Sequence, residues 1–128
     1  MSATDYLEAK VLDHALRNTA FSQPAALYLA LHTADPGDTG TASEVAGGSY
    51  ARQTIAFAAS SGTTPATAAS SGAVNFAGMP AVTITHFSIR DAVSAGNSLF
   101  TGALAASQTV TAGATVAFAA GAVTVTAD

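Results

Sequence analysis

The first apolar pattern along the chain is helical. Its members recur at spacings of three to five residues and form a single stripe: Leu7, Val11, Leu12, Ala15 and Leu16. Ser2 or Thr4 can cap the start of this helix. The acidic side chains of Asp5 and Glu8 suit the positive end of the helix dipole. We therefore predict a helix from about Thr4 to Arg17.

The remainder of the chain follows the two-residue period of β-strands. Between residues 27 and 32, leucines alternate with Tyr28, Ala30 and His32, as in a strand with one buried face. Valine and threonine, which favour pleated surfaces, dominate the later strand candidates. Gly, Pro, Asn and Ser separate them, as turns require. The candidates are Arg52–Ala58, Ala73–Phe76, Val82–Ile89, Leu99–Leu104, Thr109–Thr111, Ala114–Ala119 and Ala122–Thr126.

These elements predict a mainly-β fold, in which an N-terminal helix precedes an antiparallel β-sandwich or jelly-roll-like domain of about seven or eight strands. Residues 1–20 would be the helical part of the same unit, and residues 21–128 a single β-sandwich domain with long loops at 33–50 and 60–72. The second loop is almost entirely Ser, Thr, Ala, Gly and Pro, so we expect a flexible or extended segment. The predicted core comprises Leu27, Leu29, Leu31, Ile55, Phe57, Phe76, Ile84, Phe87, Ile89, Leu99, Leu104, Val116, Phe118, Val123 and Val125.

The scarcity of charge indicates a surface that is buried in an assembly or in a membrane. Only 9% of the residues are charged, against roughly 25% in an ordinary soluble domain. A spanning helix needs about 20 consecutive apolar residues, and the sequence contains no such run. Asp5, Glu8 and Asp13 fall where the apolar core of a signal peptide would lie, so we expect no signal peptide. Assembly is therefore the preferred explanation, and we expect no membrane partner.

The charge balance and the absence of cysteine exclude other classes of function. The formal net charge is −4 and the chain has four Lys and Arg residues in total, too few to neutralise many phosphates. We therefore expect no nucleic-acid partner. Without cysteine, the chain forms no disulfides and no thiolate metal sites.

Candidate chemistry is sparse. His14, His32 and His86 do not have the spacing of a metal site, and no serine lies in a nucleophile motif. Glu44 and Asp91 could in principle act as the two carboxylates of a glycosidase, but no neighbouring residues support this role. We predict no catalytic residue, no metal ligand and no cofactor.

The segment from Asp35 to Asp38 leaves two interpretations open. Asp-Pro-Gly-Asp is a common turn sequence, in which Pro fixes φ and Gly adopts an unusual conformation. Together with Glu44, the same aspartates could supply oxygen ligands to a cation, although they fall short of an EF-hand pattern.

Four segments carry a resemblance over nearly the whole chain: ATDYLEAKVLDHALRNTAF, LYLALHTADPGDTGTASEVAGGSYARQTIAF, VTITHFSIRDAVSAGNSLFTGAL and VTAGATVAFAAGAVTVT. In this order they resemble a group of small tailed-bacteriophage virion proteins, which are often labelled phage tail fibre proteins. Other proteins of similar build are capsid decoration, or cement, proteins. The resemblance implies a non-enzymatic protein located in the virion and assembled in the bacterial cytoplasm.

Within that class we expect a capsid decoration protein that oligomerises and stabilises the major capsid lattice, because the sequence has no repeat and no coiled-coil heptads for a fibre shaft. The resemblance implies a homotrimer, with the phage major capsid protein or tail proteins as further partners. The alternatives are a tail-associated or tail-fibre component and a host-surface glycan-binding module. The predicted contact residues are Leu7, Val11, Leu16, Asp35, Asp38, Glu44, Tyr50 and Arg52.

Overall fold

The structure, a computed structural model, describes residues 2–63 and 65–127. The described residues form a mainly-β fold with an N-terminal helix and antiparallel sheets, which confirms the predicted fold class. The single helix, α1, spans Asp5–Leu16. The strands are β1 (Ser2–Ala3), β2 (Leu27–His32), β3 (Gln53–Ile55), β4 (Ala66–Ala69), β5 (Val74–Phe76), β6 (Val82–Arg90), β7 (Ser98–Val110), β8 (Val116–Phe118) and β9 (Thr124–Ala127).

The ends of α1 agree with the prediction to within one residue. Thr4 is the N-cap, with an extended backbone and a side-chain oxygen that accepts a hydrogen bond from the Leu7 N–H at 3.4 Å. At the other end, the Arg17 N–H donates to the Asp13 carbonyl at 3.0 Å. Because the Thr4 N–H also donates to the Leu99 carbonyl at 2.9 Å, the start of the helix is fixed against β7.

Five strands form the largest sheet, in the order β1-β7-β6-β2-β3. The pairs β4–β9 and β5–β8 form two smaller sheets. Leucines of β2 lie opposite apolar residues of β6, with Leu29 beside Ile89 and Leu31 beside Phe87. These side chains pack with residues of the smaller sheets in one core, as in a sandwich. The fully packed members are Leu29, Leu31, Val45, Ile55, Val74, Phe76, Met79, Ile84, Phe87, Ile89, Val110, Val116, Phe118 and Val123.

The opposite face of the largest sheet is also buried, which the predicted alternation missed. Ala30, His32 and Ser88 have no solvent exposure. Loop 33–50 covers this face, and Gly40 in that loop packs directly against Ser98 of β7. The prediction of a strand buried on one face was therefore wrong for β2, because loop 33–50 packs over the other face of the sheet and excludes solvent from it.

Several predicted strand boundaries were wrong. Loop 60–72 contains β4, whose residues pair with β9 from Ala66 opposite Ala127 to Ala69 opposite Thr124. The strands predicted at Leu99–Leu104 and Thr109–Thr111 are one strand, β7. This strand is bulged, because residues 104–107 lie opposite Thr85 alone. Thr64 of the predicted loop, and the domain limits Met1 and Asp128, lie outside the described residues.

Most of the predicted core residues are buried, but some are only partly buried and others were omitted. Leu27, Phe57, Leu104 and Val125 are only partly buried. The buried core cluster contains four residues that the prediction omitted: Val45, Val74, Met79 and Val110. The division into a helical part at residues 1–20 and a single β-sandwich domain at residues 21–128 of the same unit stays a prediction.

Candidate functional site

The apolar stripe of α1 is divided between the core and the solvent. Leu7 is buried, whereas Val11, Leu12 and Leu16 are 51%, 57% and 77% exposed. Three of the four exposed large hydrophobic side chains among the described residues therefore lie on this helix. Helices of this length are marginal in water, and packing supplies most of their stability. The exposed stripe is therefore a candidate contact surface.

A groove of about 560 Å³ lies beside this stripe. Leu7, Val11 and Leu12 line it on the helix side, and Phe100 lines it from β7. The remaining lining residues are small or polar: Ser2, Ala3, Glu8, Thr126 and Ala127. Among the described residues, Glu8 is the single charged one that lines the groove.

Three of the predicted contact residues come together in one hydrogen-bonded cluster. Arg52 donates from Nε to Oε1 of Glu44 at 2.7 Å and from Nη2 to Oε2 at 2.8 Å. The Tyr50 hydroxyl donates to Glu44 Oε1 at 3.0 Å and accepts from the Leu31 N–H at 3.0 Å. The Arg52 side chain is 8% exposed. The cluster therefore joins Glu44 and Tyr50 of loop 33–50 to Arg52 and to β2, and these polar groups are bonded within the chain.

The pKa shifts in this cluster follow from burial and pairing. Burial raises the pKa of the Glu44 carboxyl, but the hydrogen bond and charge of Arg52, with the Tyr50 hydrogen bond, outweigh it and lower that pKa below its ordinary value. The hydrogen bond to Glu44 raises the pKa of Arg52. Burial raises the pKa of Tyr50 far above its ordinary value. Glu44 and Arg52 are therefore a charged pair at neutral pH, with a neutral Tyr50 beside them.

Two arginines connect this cluster to the loop at residues 91–97. Arg52 Nη1 donates to the carbonyls of Ala92 and Ala95 at 3.0 and 2.8 Å. Arg90 donates from Nη2 to the Ala95 carbonyl at 3.3 Å and from Nη1 to the Gly40 carbonyl at 2.9 Å. The arginines therefore clamp loops 33–50 and 91–97 at one end of the largest sheet. The prediction omitted Arg90, which no local sequence pattern identifies.

Asp35 and Asp38 lie in the predicted turn. Asp35 Oδ1 accepts a hydrogen bond from the Gly37 N–H at 2.9 Å, and Pro36 is buried. The Asp38 carbonyl accepts from the Asp5 N–H at 3.2 Å, which joins this turn to the start of α1. In the part of the chain that the structure describes, no three His, Asp or Glu side chains come together as a metal-binding group.

The remaining candidates for chemistry are also bonded within the chain. His32 Nδ1 lies 2.7 Å from the Ala42 carbonyl, and Nε2 lies 2.8 Å from the Ser88 hydroxyl. Because a carbonyl only accepts, Nδ1 carries the proton in the neutral ring. Asp91 accepts from the backbone and side-chain N–H groups of Asn97 at 2.6 and 2.9 Å. Glu44 and Asp91 each have a separate structural partner.

Charge is distributed unevenly over the fold. Residues 53–85 and 92–127 contain no Asp, Glu, Lys or Arg. Those ranges include six strands (β3, β4, β5, β7, β8 and β9), and many of their residues are exposed. Residues 105–109 of β7 are all exposed, and beyond Thr101 no other strand of the described residues pairs with the outer edge of β7. The exposed residues of these ranges therefore carry no ionic groups.

The predicted contact residues thus occupy three settings. Val11 and Leu16 are exposed on α1, and Leu7 is buried beneath them. Asp35 and Asp38 are exposed in a turn. Glu44, Tyr50 and Arg52 form the partly buried cluster described above. Their roles as contacts between molecules stay predictions. Two contributors to the apolar surface were missing from the predicted set, Leu12 and Phe100.

Comparison with known proteins gives one family. A family model described as "Podophage GP4 fiber I protein gp80" matches residues 2–126. No curated protein matches the chain. Within the described ranges, α1 falls short of the length and hydrophobicity that a membrane-spanning helix requires.

Proposed function

The chain belongs to the podophage GP4 fiber I protein gp80 family, and we propose that it is a non-enzymatic structural subunit of the phage virion that acts by assembling with other proteins. The match covers almost the whole chain, so the family applies to the fold described above.

The observation that supports assembly most directly is the uncharged surface. Charged residues are depleted in the centres of protein interfaces, because each buried ion must give up its hydration. Residues 53–85 and 92–127 require no such loss when they meet a partner. Exposed Val11, Leu12 and Leu16 add an apolar contact on α1.

The bonding of the polar residues supports a role without catalysis. Arg52 forms an ion pair with Glu44, and Asn97 donates hydrogen bonds to Asp91. The ring nitrogens of His32 are hydrogen-bonded to Ser88 and to the Ala42 carbonyl. A general base or nucleophile needs a group that is free to react with a substrate. These residues are instead bonded to neighbouring loops and strands.

We propose the fibre apparatus of the virion as its location, a choice supported by the description of its family as a fibre protein. The second candidate location is the head, where the protein would decorate the capsid lattice. The observation that favours the head is the fold itself, since nine strands of 2 to 13 residues and one 12-residue helix include no repeated shaft element within residues 2–63 and 65–127. Many weak contacts made by repeated copies would give firm attachment at either location. The homotrimer and the glycan-binding alternative stay predictions.

Cryo-electron microscopy of intact virions, combined with antibody labelling of this chain, tests the proposal. Label confined to the tail supports the fibre location, and label repeated over the head supports decoration. If the protein is abundant in infected cells and absent from purified virions, the structural role is wrong. Clearing of host cell wall by the purified protein in a zymogram would contradict the non-enzymatic role.

A further inference from the structure

We propose that an ordered water molecule binds between Arg90 Nε and Ser98 Oγ, beneath loop 33–50, and forms part of the contact between this loop and the largest sheet. The site is internal and lies apart from the exposed surfaces that support the assembly role. The inference therefore goes beyond the proposed function and does not depend on the location of the protein in the virion.

Two buried polar atoms lack a partner within the chain. In the part of the chain that the structure describes, Arg90 Nε and Ser98 Oγ are the buried side-chain nitrogen and oxygen without a hydrogen bond. Both residues are almost fully buried, with exposed fractions of 4% and 2%. Buried polar groups in proteins nearly always bond to a protein group or to an ordered water, because burial removes their hydration. These two atoms therefore require a ligand that is not a described protein group.

The fold places the two atoms at one site. Arg90 of β6 and Ser98 of β7 are paired positions in the largest sheet. Gly40 of loop 33–50 lies against both residues. Its carbonyl accepts from Arg90 Nη1 at 2.9 Å, and a Cβ atom added to it would collide with the Ser98 hydroxyl. Because both unpaired atoms lie beside Gly40, one small ligand can bond to both.

The bonding capacity of the two atoms fits water. The Arg90 Nε–H group only donates, whereas the Ser98 hydroxyl both donates and accepts. A water oxygen accepts from Arg90 Nε, and one of its hydrogens is then directed to Ser98 Oγ. Buried waters typically make about three hydrogen bonds to groups that would otherwise be unpaired.

The charges around the site favour a neutral ligand over an anion. Arg90 and Arg52 are positive, and the carboxylates that act electrostatically on Arg90 are those of Glu44 and Asp91. These four charges cancel. An anion that entered this buried site would lose its hydration without meeting a net positive charge, so its binding is unfavourable.

The water connects loop 33–50 to the start of the helix. Arg90 already bonds to the Gly40 carbonyl of the loop. The Ser98 carbonyl accepts a hydrogen bond from the Thr4 hydroxyl at 2.5 Å, and Thr4 is the N-cap of α1. A water that bonds to both Arg90 and Ser98 therefore joins the loop, β6, β7 and the first turn of α1 through polar contacts.

A high-resolution crystal structure of the full-length protein tests the proposal. We expect one peak of electron density within about 2.5–3.2 Å of both Arg90 Nε and Ser98 Oγ. A direct hydrogen bond between these two atoms, or a peak that contacts only one of them, would overturn the proposal. Crystals soaked in bromide distinguish water from a halide, because bromide scatters anomalously. An anomalous peak at the site would identify an anion and contradict the neutral ligand.

Removal of the Ser98 hydroxyl tests whether that group binds the water. In crystals of Ser98→Ala we expect the peak to lose most of its occupancy, because the water then has one partner fewer. Ser94→Ala is the matched control, since Ser94 is exposed in loop 91–97, and it should leave the peak unchanged. Full occupancy in Ser98→Ala would show that Ser98 is not a ligand, and the bridging arrangement would be wrong. The wild-type and bromide structures give a result even if Ser98→Ala does not fold.

Discussion

Arg52 holds Glu44 through two parallel hydrogen bonds, Nε to Oε1 at 2.7 Å and Nη2 to Oε2 at 2.8 Å. The same guanidinium donates through Nη1 to the Ala92 and Ala95 carbonyls. One side chain thus fixes loop 33–50 to loop 91–97. Because the fork geometry of arginine matches a carboxylate, lysine could not replace these contacts.

We predict that Arg52→Ala destabilises the protein by about 2–4 kcal/mol, because it leaves a partly buried carboxylate without its charged partner and the Ala92 carbonyl without its donor. Chemical denaturation with the free energy of unfolding as readout measures the loss. Arg17→Ala is the control, since the Arg17–Asp13 pair lies on the surface with side chains 72% and 38% exposed. We expect a change of less than about 1 kcal/mol there. Equal losses in both variants would mean that the Arg52 cluster is not a structural clamp.

The elements that the sequence predicted correctly have strong local patterns. Leu29 and Leu31 alternate with smaller or polar residues, and both are fully buried in the core. Thr4 precedes an apolar stripe with acidic residues in its first turn, and it is the N-cap. In each case a few neighbouring residues contain all the information, because the pattern repeats with the period of the element.

The features that the sequence did not predict depend on distant partners. β4 consists of Ala66, Thr67, Ala68 and Ala69, which have no apolar period, and its pairing with β9 makes it a strand. Arg90 bonds to Gly40, fifty positions earlier in the chain. Leu12 was visible in the helical stripe, but its exposure depends on which side of α1 faces β7. Tertiary contacts decide each of these outcomes, and one sequence does not display them.

The buried ring of His32 predicts a loss of stability in mild acid. Burial lowers the pKa of His32 below its ordinary value of 6.5, although the Ala42 hydrogen bond opposes this effect. The unfolded chain therefore binds a proton at a higher pH than the folded chain does. The free energy of unfolding falls as the pH drops below about 6.5, and this contribution levels off below the pKa of the folded state.

Measurement of unfolding free energy between pH 7 and pH 5, by urea denaturation, tests this prediction. We expect His32→Gln to remove most of the slope in that range, whatever its effect at pH 7. His86→Gln is the control, because His86 lies directly opposite His32 in the sheet and is not fully buried. An unchanged slope in His32→Gln would assign the acid sensitivity to another group. The lowered pKa of Glu44 adds a second loss only at lower pH, as that carboxyl is protonated.

Gly40 and Gly37 form a matched pair within loop 33–50. Both have positive φ angles, +69° and +74°. A Cβ atom at Gly40 would lie 2.7 Å from Ser98 Cβ and 2.9 Å from Thr101 Cγ2, whereas a Cβ at Gly37 meets nothing within 4 Å. We predict a loss of about 2–4 kcal/mol for Gly40→Ala, from backbone strain and overpacking together. Gly37→Ala should lose about 1 kcal/mol from backbone strain alone. Thermal unfolding followed by circular dichroism compares them, and similar losses would show that the loop does not press on β7.

Truncation to alanine at the two ends of the α1 stripe should change the free energy of unfolding by very different amounts. Leu7 is 8% exposed and belongs to the buried set, so we predict that Leu7→Ala lowers the free energy of unfolding by about 2–3 kcal/mol. Leu16 is 77% exposed, so Leu16→Ala should change it by less than about 0.5 kcal/mol in dilute solution. Urea denaturation makes the comparison, and a large loss for Leu16→Ala would mean that the helix packs on its own chain through that residue.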